Sequence, residues 1–96
     1  MSFVQIVEYE TDRPDEMRML SEQWERERPA NGPSRLTFAE DQEKPGHFVI
    51  VAEFDTYEQA MAHSGQPQTS AYAERIRTLA KGDPRFVNLK VDRQQT

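Results

Sequence analysis

Cysteine is absent from all 96 residues. That excludes disulfides, thiolate catalysis and any cysteine-ligated metal. Glycine occurs only four times, and no Gly-rich phosphate loop or nucleophile elbow can be assembled from it. The two histidines, His47 and His63, share no His-x-His or His-x3-His spacing, so no metal site and no cofactor is expected. Long apolar runs are missing too. Nothing approaches the roughly 20 residues needed to cross a bilayer. The opening Met1-Ser2-Phe3-Val4-Gln5-Ile6-Val7-Glu8 alternates and carries acid early, unlike a signal peptide, so the expected address is cytoplasmic. Basic charge is the scarcer sign: 12 Lys and Arg face 17 Asp and Glu, a net −5. Such a surface repels phosphate backbones and argues against nucleic-acid binding.

What is present is periodic. Only 35% of the residues are hydrophobic, yet they fall in blocks that read as one α+β domain spanning 1–96. Phe3 to Glu10 reads as a strand, with Phe3, Gln5, Val7 and Tyr9 on one face and Val4, Ile6 and Glu8 on the other. Thr11 or Asp12 caps a helix that Pro14 opens, and Met17, Leu20 and Trp24 form its inward stripe. The helix ends in Pro29-Ala30-Asn31-Gly32-Pro33. Glu22 with Arg26 and Glu25 with Arg28 account for its charge run as ordinary helical pairs.

Ser34 to Glu43 reads as a second strand, Lys44-Pro45-Gly46 as a turn, and His47 to Phe54 as a third strand that is apolar on both faces. Asp55-Thr56 caps a second helix whose inward stripe is read as Tyr57, Ala60 and Met61. Gly65 to Pro67 breaks or kinks it, after which Tyr72, Ile76 and Leu79 resume the stripe. Gly82 and Pro84 stop it. Phe86 to Val91 is the fourth strand.

The order β-α-β-β-α-β is the ferredoxin-like arrangement, an antiparallel sheet with both helices on one face. Two helices leave the other face open, and a solvated face should be polar. Strands one and three are instead apolar on both sides. A second copy of the same sheet is the simplest cover, which predicts a homodimer. Three segments carry a resemblance: Val4-Gln5-Ile6-Val7-Glu8-Tyr9, Phe48-Val49-Ile50-Val51-Ala52-Glu53-Phe54-Asp55-Thr56-Tyr57-Glu58-Gln59-Ala60-Met61, and Pro84-Arg85-Phe86-Val87-Asn88-Leu89. Through them the whole chain resembles the dimeric α/β-barrel superfamily, which includes the antibiotic-biosynthesis monooxygenase-like domains. The resemblance implies a cavity between helices and sheet, and relatives that include cofactor-free oxygenases, haem-degrading enzymes and lactone isomerases. A shared fold does not choose among them.

The residues that offer chemistry are few. His63, beside the helix break, is a candidate base or ligand, set against an exposed or helix-terminal histidine that needs no function. Haem-degrading relatives pair such a histidine with an asparagine and a tryptophan on strands. Here the tryptophan, Trp24, is on a helix and strand one carries Gln5, so that set is not reproduced. His47 reads as a loop-edge residue. Gln5 and Asn88 are amides on strands, able to orient a substrate oxygen or simply to bond across the sheet. Trp24 and Tyr72 read first as core aromatics. The candidate set is therefore His63 and Asn88 as catalytic, with Gln5, Trp24 and Tyr72 as substrate-binding. Its implied ligand is a small apolar, aromatic or polyketide-like molecule. The expected activity is a cofactor-independent monooxygenation; the alternative is a non-catalytic ligand-binding or dimerisation domain.

Overall fold

In the computed structural model, residues 2–27 and 32–95 are described. Strand β1 covers Phe3–Glu10, helix α1 Pro14–Glu27, β2 Arg35–Glu40, β3 His47–Phe54, α2 Tyr57–Ser64, α3 Pro67–Leu79 and β4 Arg85–Lys90. The four strands form one sheet in the order β2-β3-β1-β4, antiparallel at every pairing. This is the ferredoxin-like α+β arrangement, with its second helix divided in two.

The register follows from side-chain alternation. Val7 stands opposite Ile50 and Phe86, and Gln5 opposite Ala52 and Asn88. These residues, with Phe48 and Phe54, share the face that carries the helices. Val7, Tyr9, Met17, Leu20, Phe48, Ile50 and Ile76 form the larger buried cluster. Phe3, Ala52, Phe54 and Ala60 form a smaller one under α2. Each apolar side chain so buried contributes about 1.5–3 kcal/mol before entropy is counted.

Thr11 Oγ1 accepts from the Arg13 N–H (3.0 Å) and donates to the Leu79 carbonyl (2.7 Å). One hydroxyl thus closes the turn that leads into α1, where the Arg13 carbonyl accepts the first helical bond, and ties that turn to the end of α3. Thr56 Oγ1 accepts from the Gln59 N–H (3.1 Å), capping α2. Gly46, at φ +87°, makes the turn before β3.

Four expectations are corrected. The β2 strand ends at Glu40 rather than Glu43, because Asp41 Oδ1 accepts from the Glu43 N–H (2.9 Å) and the chain is already turning. It also starts one residue later, since Ser34 spends its N–H and hydroxyl on the Glu53 carbonyl (2.7 and 3.0 Å). The last strand lies one residue earlier, Arg85–Lys90, and the Val91 N–H bonds to the Ser2 carbonyl (3.1 Å). Glu22 and Arg26 form no ion pair among the described residues; α1 carries Arg13–Glu16 and Arg18–Asp15 instead (3.6 and 3.3 Å). Its expected Glu25–Arg28 pair and the start of the loop at Pro29 to Asn31 fall outside the described residues.

The other sheet face has no helix on it. By register, Thr37, Val51, Ile6 and Val87 run across its middle, flanked by Val4, Leu89, Ala39 and Val49. Ion pairs Arg35–Glu53 (3.7 Å) and Arg85–Glu8 (3.4 Å) lie to either side of that row.

Candidate functional site

Between the helices and their sheet face lies a cavity of about 70 Å³. The sheet contributes Gln5, Val7, Ile50, Ala52, Phe54 and Phe86; the helices contribute Trp24, His63, Thr69, Tyr72, Ala73 and Ile76. Larger depressions exist, one of about 450 Å³ between α1 and α3 and one of about 260 Å³ between α1 and β2–β3. Both have charged rims, whereas the smaller cavity is lined almost wholly by apolar and aromatic side chains and is the place where a ligand sheds most of its water.

One side of the cavity is an aromatic box. Trp24 stacks on Tyr72 with centroids 4.5 Å apart and planes 9° from parallel. His63 stands edge-on to Trp24 at 5.9 Å and tilted against Phe54 at 5.5 Å. The local sequence explains this arrangement. Ala60 and His63, three apart, form the inward stripe of the short α2, and Tyr57 and Met61, expected on that stripe, are exposed instead. Thr69, Tyr72, Ala73 and Ile76, at i, i+3, i+4 and i+7, form the inward stripe of α3. The break at Gly65–Gln66 lets α3 leave at a new angle while His63 stays beside its first turn; Gln66 N–H bonds back to the His63 carbonyl (3.2 Å).

The box is not wholly apolar. Thr69 Oγ1 and Gln66 Oε1 are buried and make no hydrogen bond among the described residues, and the buried Tyr72 Oη has the Ser21 hydroxyl beside it. Buried polar atoms left without a partner cost about 1–3 kcal/mol each, and Thr69, on the first turn of α3 and lining the cavity, invites a polar ligand atom. Burial pushes the Tyr72 phenol above its ordinary value, the Ser21 hydroxyl works against that, and Glu25 adds to it. Tyr9 is raised further, first by burial and then by the nearby Tyr72 phenol, with Ser21 again opposing. Ser21 itself donates to the Met17 carbonyl (3.1 Å).

Four of the five sequence-derived candidates, His63, Gln5, Trp24 and Tyr72, converge on this cavity. His63 is helix-terminal as expected but buried, at 5% exposure, so its exposed reading is corrected; Phe54 and Trp24 cover it. Asn88 stands apart. It is exposed and meets the cavity only through Gln5, whose Nε2 donates to Asn88 Oδ1 (3.1 Å). His47 is remote, 3.5 Å from Glu10 at the other end of the strands. Thr69, Phe54 and Phe86 were missed as site residues. The helical stripe read back one turn from Tyr72 reaches Thr69, and the alternation that puts Phe86 and Asn88 on one face already implied the third. Among the described residues no group of three His, Asp or Glu could hold a metal, and no helix is long and apolar enough to cross a membrane.

Solved structures share this architecture along their whole length. Rv0793 from Mycobacterium tuberculosis superposes with a TM-score of 0.82 at 17% identity, covering 100% of both chains. SnoaB, a cofactor-independent oxygenase from Streptomyces nogalater, gives 0.79 at 14% identity, covering 97% of this chain and 95% of that one. The chain has the antibiotic biosynthesis monooxygenase fold. A further protein described by that name gives a TM-score of 0.68 at 20% identity over 95% of this chain and 98% of its own. No protein-family model and no curated protein matches the sequence. The antibiotic biosynthesis monooxygenase fold places its helices over one sheet face here, and the aromatic cavity lies between those two layers.

Proposed function

We propose that this protein is a cofactor-independent monooxygenase of an electron-rich aromatic molecule, and that it works as a homodimer. The observation that carries the reading is the aromatic box closed by His63 on one side and by the buried Thr69 and Tyr72 hydroxyls on another. SnoaB, described as a cofactor-independent oxygenase, has the same fold.

A phenol such as 1-naphthol illustrates the chemistry. His63 takes the phenolic proton, and the hydroxyls of Thr69 and Tyr72 donate to the oxyanion in a water-poor site. The anion passes an electron to dioxygen, and the two radicals join at the ring carbon para to the oxygen as a hydroperoxide. Loss of water leaves a quinone. Naphthol and O₂ give naphthoquinone and H₂O, so atoms and electrons balance without a cofactor. Gln5 orients the substrate, and Asn88 acts as a positioning residue by holding the Gln5 amide.

Incubation with 1-naphthol under ¹⁸O₂ tests this directly. The expected result is one labelled oxygen in the quinone, with a rate about a hundredfold lower in His63→Ala, the usual scale for losing an acid–base group. An unlabelled or absent product refutes the activity. The small volume of the cavity, about 70 Å³, favours the second reading, a non-catalytic ligand-binding or dimerisation domain. Bound naphthol with no label incorporated would select it.

The dimer rests on the outer sheet face, where half-buried Ile6, Val51 and Val87 have no helix over them. A second copy of that face would cover them with its own apolar row. A cytoplasmic address is part of the proposal.

A further inference from the structure

The size of the cavity conflicts with an aromatic ligand. An apolar cavity known to take a benzene ring measures roughly 150 Å³, whereas this one offers about 70 Å³. Room for a ring must come from a wall that can move. Most of the walls cannot move at low cost. Trp24 is clamped against Tyr72 and His63, and Phe54, Ile50 and Ile76 are 2–4% exposed in the middle of the core. Shifting any of them would open voids in close-packed surroundings.

Phe86 differs from every other wall. It is the one described residue lining the cavity that is exposed, at 43%. It sits on β4, an edge strand, opposite Val7 in the register. No other described ring stacks against it. Being already partly in solvent, its ring can turn outward by a change of rotamer at less cost than moving a fully buried wall.

We propose that Phe86 sets the size of the ring system the cavity accepts. With the ring inward, the site is closed around a dioxygen-sized space. With the ring outward, one aromatic ring enters beside Trp24, and the bulk at position 86 limits whether a second fused ring follows. The proposal rests on the reading of this cavity as the ligand site, and its test separates the two.

Phenol and 1-naphthol are titrated into the unmutated protein, Phe86→Ala and Phe86→Trp, followed by ¹H–¹⁵N NMR. Trp24 is the only tryptophan, so its indole N–H gives a single peak that reports from inside the cavity. The quantity read is the ratio of naphthol affinity to phenol affinity. It is expected to rise at least about tenfold in Phe86→Ala, the scale on which an apolar pocket discriminates by size, and to fall in Phe86→Trp. A ratio unchanged across the three proteins, with the indole peak moving in each, overturns the role of Phe86 and leaves the cavity as the ligand site. An indole peak that stays fixed with both ligands in all three proteins overturns both.

Discussion

Gly46 holds φ at +87°, and a Cβ there would stand 2.8 Å from the Thr11 carbonyl oxygen. Both the left-handed backbone and the close approach demand glycine. Gly46→Ala should cost about 2 kcal/mol or more in urea denaturation, while leaving the cavity end of the sheet unaltered. Tyr9 and Tyr72 make a second prediction. Their phenols are raised in the fold by burial. Below pH about 10, the ordinary value, folded and unfolded chains hold these protons equally. Above it the unfolded chain releases them and the fold does not, so stability falls as pH rises. In Tyr9→Phe the decline of the urea midpoint above pH about 10 should be shallower; an identical decline would mean that the Tyr9 phenol is not retained. Single residues were unevenly legible in the sequence. Trp24 and Tyr72 were placed by helical spacing alone. The burial of His63 was not, because an eight-residue helix offers too few positions to fix which side faces the sheet.

The elements were more legible than their ends. Alternation over Phe3–Glu10 and the apolar run of His47–Phe54 located β1 and β3, since a covered strand has no other way to satisfy its side chains. The ends of β2 depended on local side-chain bonds from Ser34 and Asp41 that no periodicity contains. The split of the second helix was visible in Gly65 and Pro67, but its consequence was not: two helices at different angles, with His63 and Thr69 brought to one cavity. Thr11 links three elements through one hydroxyl. Removing it in Thr11→Ala loses the bond from the Arg13 N–H at the entry to α1 and the bond to the Leu79 carbonyl, at a cost of about 1–2 kcal/mol. Thermal unfolding monitored by circular dichroism measures it, and Thr11→Ser should recover most of the loss. A Thr11→Ala protein as stable as the original would mean that these two bonds do not hold the helix ends.

For the whole molecule, the sheet has one face built into a core and the other left apolar without a helix. Pairing of that second face is the account's expectation for the assembly. Val51→Lys places a charge in the middle of the row formed with Thr37, Ile6 and Val87. The side chain is only half-buried in a single copy, so the fold should survive while the dimer does not. Sedimentation equilibrium should then find the unmutated protein as a dimer and Val51→Lys as a monomer. Equal masses would remove the sheet face as the interface. That the second face carries apolar residues was legible from the sequence, because Val4, Ile6, Val49 and Val51 alternate with core residues. The cavity itself was not, since it arises from the spacing of α2 and α3 over the sheet, a tertiary distance.

The most direct measurement is a crystal structure of the protein grown with 1-naphthol. Density for a ring between Trp24 and His63, its oxygen within hydrogen-bond reach of Thr69 or Tyr72, is the predicted result. A cavity filled only by its own side chains, with naphthol absent or lodged in the open groove between α1 and α3, would contradict it.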